Sequence, residues 1–203
     1  MHGYIYEGKN RYIIVFWLAV IAIMLGLGVT YTVDILVSVV EKNDGEKIFV
    51  LLFNGIFGVS SGTFFAILYF LFDRFLWKIK LFRYKNLSGI YNCLGISKDK
   101  SQKEKSQFNA TIKIKQTWTK VVVYLETEQS FSESFMARII ENGIGDVRLD
   151  YCYVNSTKRT SKDLVSKHTG TASIIFSNEI QGKYYNQPDD RMRYGELTLT
   201  KER

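Results

Sequence analysis

Hydrophobic and polar positions divide this chain into two unlike parts. Residues 12–33 run for 22 positions, and residues 48–72 for 25, without an ionisable acid or base. Each run exceeds the ~20 residues a helix needs to cross a bilayer core. Extended to their polar borders, the two spans cover about 12–40 and 48–72, with only residues 41–47 between them. From residue 87 onward the period changes. Ile112 and Ile114 alternate with Thr111, Lys113 and Lys115, and Val147, Leu149, Tyr151 and Tyr153 alternate with Arg148, Asp150 and Cys152. Leu197 and Leu199 alternate with Glu196, Thr198 and Thr200. Period two marks strands with one buried and one wet face.

Eight strands are expected, over 88–94, 108–116, 120–127, 130–140, 147–155, 169–177, 182–186 and 193–200. A helical stripe of Phe135, Ile139 and Ile140 competes within 132–141, and the strand reading is kept there. Short connections favour an up-and-down meander, and eight antiparallel strands with one apolar face close into a barrel without sticky edges. The expected architecture is a two-helix transmembrane hairpin with a basic junction (1–85), followed by an all-β domain (86–203) folded as a minimal eight-stranded antiparallel barrel. The polar stretches 97–107 and 157–167 are expected to be surface loops.

Charge orients the hairpin. Lys9 and Arg11 precede the first span; Arg74, Lys78, Lys80, Arg83 and Lys85 follow the second with no acid from 74 to 85. The connecting loop holds Glu41, Lys42, Asp44, Glu46 and Lys47. Excess Lys and Arg near span ends marks the cytoplasmic side, so both termini and the β domain are expected there, with the loop outside. The basic run also suits anionic headgroups, a reading on the same side of the membrane. A cleavable signal peptide fits poorly. Its apolar core is usually about 7–15 residues, and Tyr31 interrupts any small-x-small cleavage site.

The net charge of +7 is spread thinly: residues 1–85 carry 9 basic and 6 acidic side chains, and the remainder carries 18 and 14. The β half is then only mildly basic, which argues against a nucleic-acid polymer as partner. Cys93 and Cys152 lie in strand-like segments and read as small hydrophobes in a reducing compartment. His2 and His168 are the only histidines, and no Cys/His spacing matches a metal site. No phosphate loop, G-x-S-x-G motif or paired-carboxylate pattern is present, so neither catalysis nor a cofactor is expected.

Behind the hairpin and basic junction stand, in order, Leu87-Ser88-Gly89-Ile90-Tyr91, Gln116-Thr117-Trp118, Ser130-Phe131-Ser132-Glu133-Ser134 and Leu149-Asp150-Tyr151-Cys152-Tyr153-Val154-Asn155. They continue with His168-Thr169-Gly170, Gly182-Lys183-Tyr184-Tyr185 and Arg193-Tyr194-Gly195-Glu196-Leu197. With these residues in this order, the chain resembles the SMODS-associated two-transmembrane, β-strand-rich effectors of CBASS anti-phage defence. The resemblance implies a barrel that binds a cyclic dinucleotide made by a partner nucleotidyltransferase (a CD-NTase). Binding would drive homo-oligomerisation through the spans, disruption of the bacterial inner membrane and death of the infected cell.

Such a ligand asks for aromatic faces, cations for its phosphates and hydrogen-bonding groups for base edges. Trp118, Tyr151, Tyr153 and Tyr184 are candidates for stacking, Arg138 and Arg193 for phosphate, Asn155 and Thr169 for base or ribose, and His168 for phosphate. Each also has a plain reading as core packing, a strand charge or a turn residue. In the second span, Gly58 and Gly62 form a G-x-x-x-G pattern flanked by Gly55. Small residues of this kind serve assembly between copies or packing against the chain's own first span. Two rival functions stand beside the effector reading: a membrane-tethered, lipocalin-like module for an apolar ligand, and a structural subunit that the hairpin merely anchors.

Overall fold

The computed structural model describes residues 1–40, 61–99, 105–143, 145–158, 167–186 and 193–202. The chain forms two compact units, Asn10–Trp77, and Met1–Lys9 together with Lys78–Arg203.

The helical unit contains α1 (Arg11–Val40) and α2 (Ser61–Arg74). Among the described residues, the Arg11–Ile35 part of α1 is the one helix long and apolar enough to cross a membrane by itself. At 1.5 Å per residue its 25 residues measure roughly 37 Å, more than the ~30 Å hydrocarbon core. Its hydroxyls bond to the helix's own carbonyls: Thr30 Oγ1 donates to the Gly26 carbonyl (3.0 Å) and Thr32 Oγ1 to that of Val29 (2.8 Å). Internal satisfaction of this kind is what a lipid environment demands. Of the second expected span, only residues 61–72 are described, and they are helical. Gly55 and Gly58 lie outside the described residues. Leu18, Ala22 and Gly26 recur every fourth residue of α1 and are buried. A Cβ built on Gly26 would sit 3.2 Å from the Ser61 Cα, so the two helices meet where a side chain scarcely fits. Gly62 is exposed. The close approach described here is within one chain, at Ser61.

Among the described residues, the second unit is a closed barrel of nine strands, one more than expected. They are β1 (His2–Tyr6), β2 (Gly89–Asp99), β3 (Lys105–Gln116), β4 (Lys120–Glu126), β5 (Ser130–Glu141), β6 (Val147–Thr157), β7 (His168–Phe176), β8 (Ile180–Asn186) and β9 (Arg193–Lys201). Strands β2 to β9 form an antiparallel meander, and β9 returns to pair with β2. The extra strand precedes α1 in sequence. β4 and β5 pair only through Tyr124–Glu126 and Phe131–Glu133, and β1 wedges between them beyond that point. His2 and Gly3 run antiparallel to β4, and Tyr4, Ile5 and Tyr6 run parallel to β5. Five residues containing a histidine and a glycine carry no periodic signal, and their partners lie more than a hundred positions away.

Two further expectations change. Residues 97–107 are not mainly a loop, because β2 and β3 continue to the pair Lys98 and Lys105. Polar residues stand on both faces at this rim, so no alternation reveals the strands. The helical alternative within 132–141 is overturned, since β5 runs through it as a strand, with a register shift between Ser134 and Met136.

Ile112, Ile114, Ile139, Leu149 and Ile174 fill the lower half of the lumen. The floor is closed by rings, with Tyr6 edge-on to Tyr84 at 5.0 Å and Tyr84 edge-on to Trp118 at 6.4 Å. Gln116 is the polar hub there. Its Nε2 donates to Tyr4 Oη (3.0 Å) and the Lys85 carbonyl (3.3 Å), and its Oε1 accepts from Leu87 N (2.8 Å). Gln116→Leu preserves volume but strands a buried N–H and a carbonyl. It should cost ~2–3 kcal/mol, because unmade buried hydrogen bonds cost the full desolvation of each group. Chemical denaturation of the full chain in detergent measures this, and an unchanged midpoint would remove Gln116 as the organiser of the floor.

Candidate ligand-binding site

Directly paired residues of an antiparallel ladder share a face, so the register identifies the lining of the upper lumen. Asn155 pairs with His168, Tyr153 with Gly170 and Tyr151 with Ala172. Gly170 in turn pairs with Asn186 and Ala172 with Tyr184. Across β9, Asn186 pairs with Arg193 and Tyr184 with Gly195, which itself faces Ser97. Of the nine residues singled out from the sequence, Tyr151, Tyr153, Asn155, His168, Tyr184 and Arg193 therefore share one face. All but Tyr151, one layer deeper, stand at the mouth, the end where β2 meets β3 and β6 meets β7.

Three glycines let aromatic rings lie across this mouth. A Cβ on Gly170 would come 2.5 Å from Tyr153 Cζ, and one on Gly195 2.7 Å from Tyr184 Cζ. Gly95 is covered by the Phe108 ring, whose centroid lies 6.2 Å from that of Tyr184 in an edge-on arrangement. Tyr151 and Tyr153 stand 6.0 Å apart.

The polar groups beside these rings are incompletely paired. Asn155 Nδ2 and Asn186 Nδ2 approach His168 Nε2 at 3.5 and 3.3 Å, contacts in which the amides donate and the ring nitrogen accepts. The two amide oxygens are buried, and no donor among the described residues reaches them. A buried acceptor without a donor is costly, and here two stand together beside stacking surfaces. The site thus offers aromatic faces, two acceptors for N–H or O–H groups, and the Arg193 cation at the rim.

Burial raises the Tyr153 hydroxyl well above its usual value of 10.0, with the neighbouring Tyr184 adding to it and Asn186 partly offsetting it. Burial raises Tyr184 too, against the lowering effects of Ser97 and Arg193. Both rings stay neutral donors near neutral pH. A raised folded pKa contributes stability that is fully present below the unfolded value and lost as pH rises through the folded one. The barrel is therefore expected to lose stability above pH ~10, with the lumen tyrosines ionising only as it opens. Tyrosinate absorbance and circular dichroism followed together should rise and fall in step; tyrosinate appearing fully while the fold persists would contradict this.

Three sequence candidates are not brought to the mouth. Trp118 is buried in the turn after β3, at the opposite end of that strand, against Tyr84. Arg138 is half exposed on the outer face, paired with Glu7. Thr169 is exposed and points outward, one step out of phase with His168 and Gly170. For all three the cause is strand parity or strand end, which composition does not reveal. Asn186, Ser97 and Phe108 join the mouth without having been singled out. Asn186 was within reach, being two residues beyond Tyr184 on one strand and hence on the same face.

Two family models match the chain. One described as "Cap15, cyclic dinucleotide receptor domain" covers residues 82–201, and one described as "Cap15, TM helices" covers residues 13–78. The chain belongs to the Cap15 family. A relative from Yersinia aleksiciae, called CD-NTase-associated protein 15, is 32% identical over 151 residues, spanning 70% of each chain. Another of the same name from Staphylococcus schleiferi is 33% identical over 157 residues, spanning 70% of this chain and 76% of that one. Membership in Cap15 makes the barrel a cyclic dinucleotide receptor domain and the helical unit a transmembrane region of a CBASS-associated protein. The resemblance drawn from the sequence led to the same family.

Proposed function

We propose that this Cap15 chain is a signal-gated membrane effector whose mouth residues hold a cyclic dinucleotide supplied by a partner CD-NTase. The observation that carries this reading is the convergence of Tyr153, Tyr184, Asn155, Asn186 and His168 on one end of the lumen, with Arg193 at the rim. Rings of Tyr153 and Tyr184 stack on bases, the two amide oxygens accept from base N–H or ribose O–H groups, and Arg193 meets phosphate. A lipocalin-like role asks for an apolar lumen throughout, and the polar mouth favours the nucleotide instead.

Both spans cross the bacterial inner membrane, with the termini and barrel in the cytoplasm, as the charge bias requires. Lys78, Lys80 and Arg83, interleaved with the exposed Ile79 and Leu81, suit anionic lipid headgroups. Ligand promotes homo-oligomerisation and membrane disruption by binding the assembled state more tightly than the resting one, since only differential affinity shifts an equilibrium.

Thermal unfolding of the full chain in detergent against cyclic dinucleotides, cyclic trinucleotides and fatty acids tests the reading. A cyclic dinucleotide at ~100 times its Kd should add ~2.7 kcal/mol of stability, and Tyr153→Ala should abolish the shift. Stabilisation by fatty acids alone would replace this function with the lipocalin-like one.

A further inference from the structure

Residues 1–12 precede both family-model matches, yet residues 2–6 are built into the receptor wall as β1. Tyr4 and Tyr6 are buried in its floor, 6% and 5% exposed. Glu7 N donates to the Ile139 carbonyl (2.8 Å), Glu7 pairs with Arg138, and Lys9 pairs with Glu141 (3.9 Å). The membrane helix α1 then begins at Arg11. One short segment is therefore both a stave of the barrel and the root of a span.

The upper end of that stave reaches toward the mouth. His2 Nε2 lies 2.8 Å from Ser134 Oγ, and Val123 N donates to the same oxygen at 2.8 Å. Ser134 is the ladder partner of Tyr153, the ring that crosses Gly170 at the mouth. Immediately after Ser134 the register of β5 shifts and β1 takes over from β4 as its neighbour. A bulged, partly paired wall re-aims its strands more readily than a regular ladder.

We propose that β1 is the coupling strand of this protein: occupation of the mouth shifts Tyr153 and Ser134, β1 moves with the seam, and the displacement reaches α1 along the chain. This rests on the reading that the mouth holds the cyclic dinucleotide. It adds that residues 1–9, outside both matches, transmit the signal.

The test is an eight-residue Gly-Ser insertion after Gly8 in the full chain, with the same insertion after Gly143 as control. Such a linker spans roughly 15 Å as a flexible coil, enough slack to absorb a strand shift while leaving β1 in its seam. Cyclic dinucleotide affinity and ligand-triggered dye release from liposomes are both measured. The Gly8 insertion is expected to keep affinity within about 2-fold and to cut release at least ~10-fold, the range of ordinary allosteric coupling. The control should keep both. Full release by the Gly8 insertion overturns the coupling role, and so does parallel loss of affinity and release, which would make β1 merely structural. If the unaltered chain binds no cyclic dinucleotide, or binds without releasing dye, the underlying effector reading fails instead, and the coupling role with it.

Discussion

Gly195→Ala is expected to be the most damaging single-methyl change in the barrel. Gly195 is on the lumen face of β9, and a Cβ there would meet the Ile96 carbonyl and lie 2.7 Å from Tyr184 Cζ. Rotation of the ring alone would not relieve the clash, because the carbonyl belongs to β2, which is paired with β9 along its length. Relief requires the β2–β9 ladder to separate, so the cost should be ~3 kcal/mol, the upper part of the range for overpacking. For a domain of this size that corresponds to a fall of ~10 °C in melting temperature. Gly143→Ala is the comparison, since nothing lies within 4 Å of its added methyl, and it should stay within about 0.5 kcal/mol of the parent. Equal melting temperatures for the two variants would show that Gly195 is not a packing requirement.

Asn155→Leu should move stability and ligand binding in opposite directions. Among the described residues, the buried Asn155 Oδ1 has no donor and the amide makes a long 3.5 Å contact to His168 Nε2. Leucine of similar size removes that burden while Asn186 still reaches His168. The unliganded protein should gain ~1 kcal/mol. Cyclic dinucleotide affinity should drop by ~10–100-fold, because a ligand N–H or O–H that left water for this acceptor no longer finds it. Stability held below its optimum by a group that only a ligand satisfies is the mark of a binding site. A variant less stable than the parent, or one binding normally, would make Asn155 an ordinary wall residue.

Legibility differed with the range of the physics involved. The long helix and the strands between 88 and 200 follow from local periodicity, since an apolar run of bilayer length and an alternating strand each need only their own residues. Tyr153, Asn155 and His168 could be singled out because their types suit a nucleotide, and parity along one strand links Tyr151 to Tyr153. The same reasoning grouped with them Arg138, which β5 turns outward to Glu7, and Trp118, which β3 carries to the floor.

The sequence by itself determined a membrane-embedded start, an all-β remainder and a family whose receptor domain takes a cyclic dinucleotide, because hydropathy period and motif order are properties of neighbouring residues. Only the tertiary structure decided that Asn186 and Arg193 meet His168 and Tyr153 at one mouth, and that residues 2–6 close a wall between β4 and β5. Those facts depend on register across strands distant in sequence, where a shift of one residue would turn every lumen side chain to the outer face.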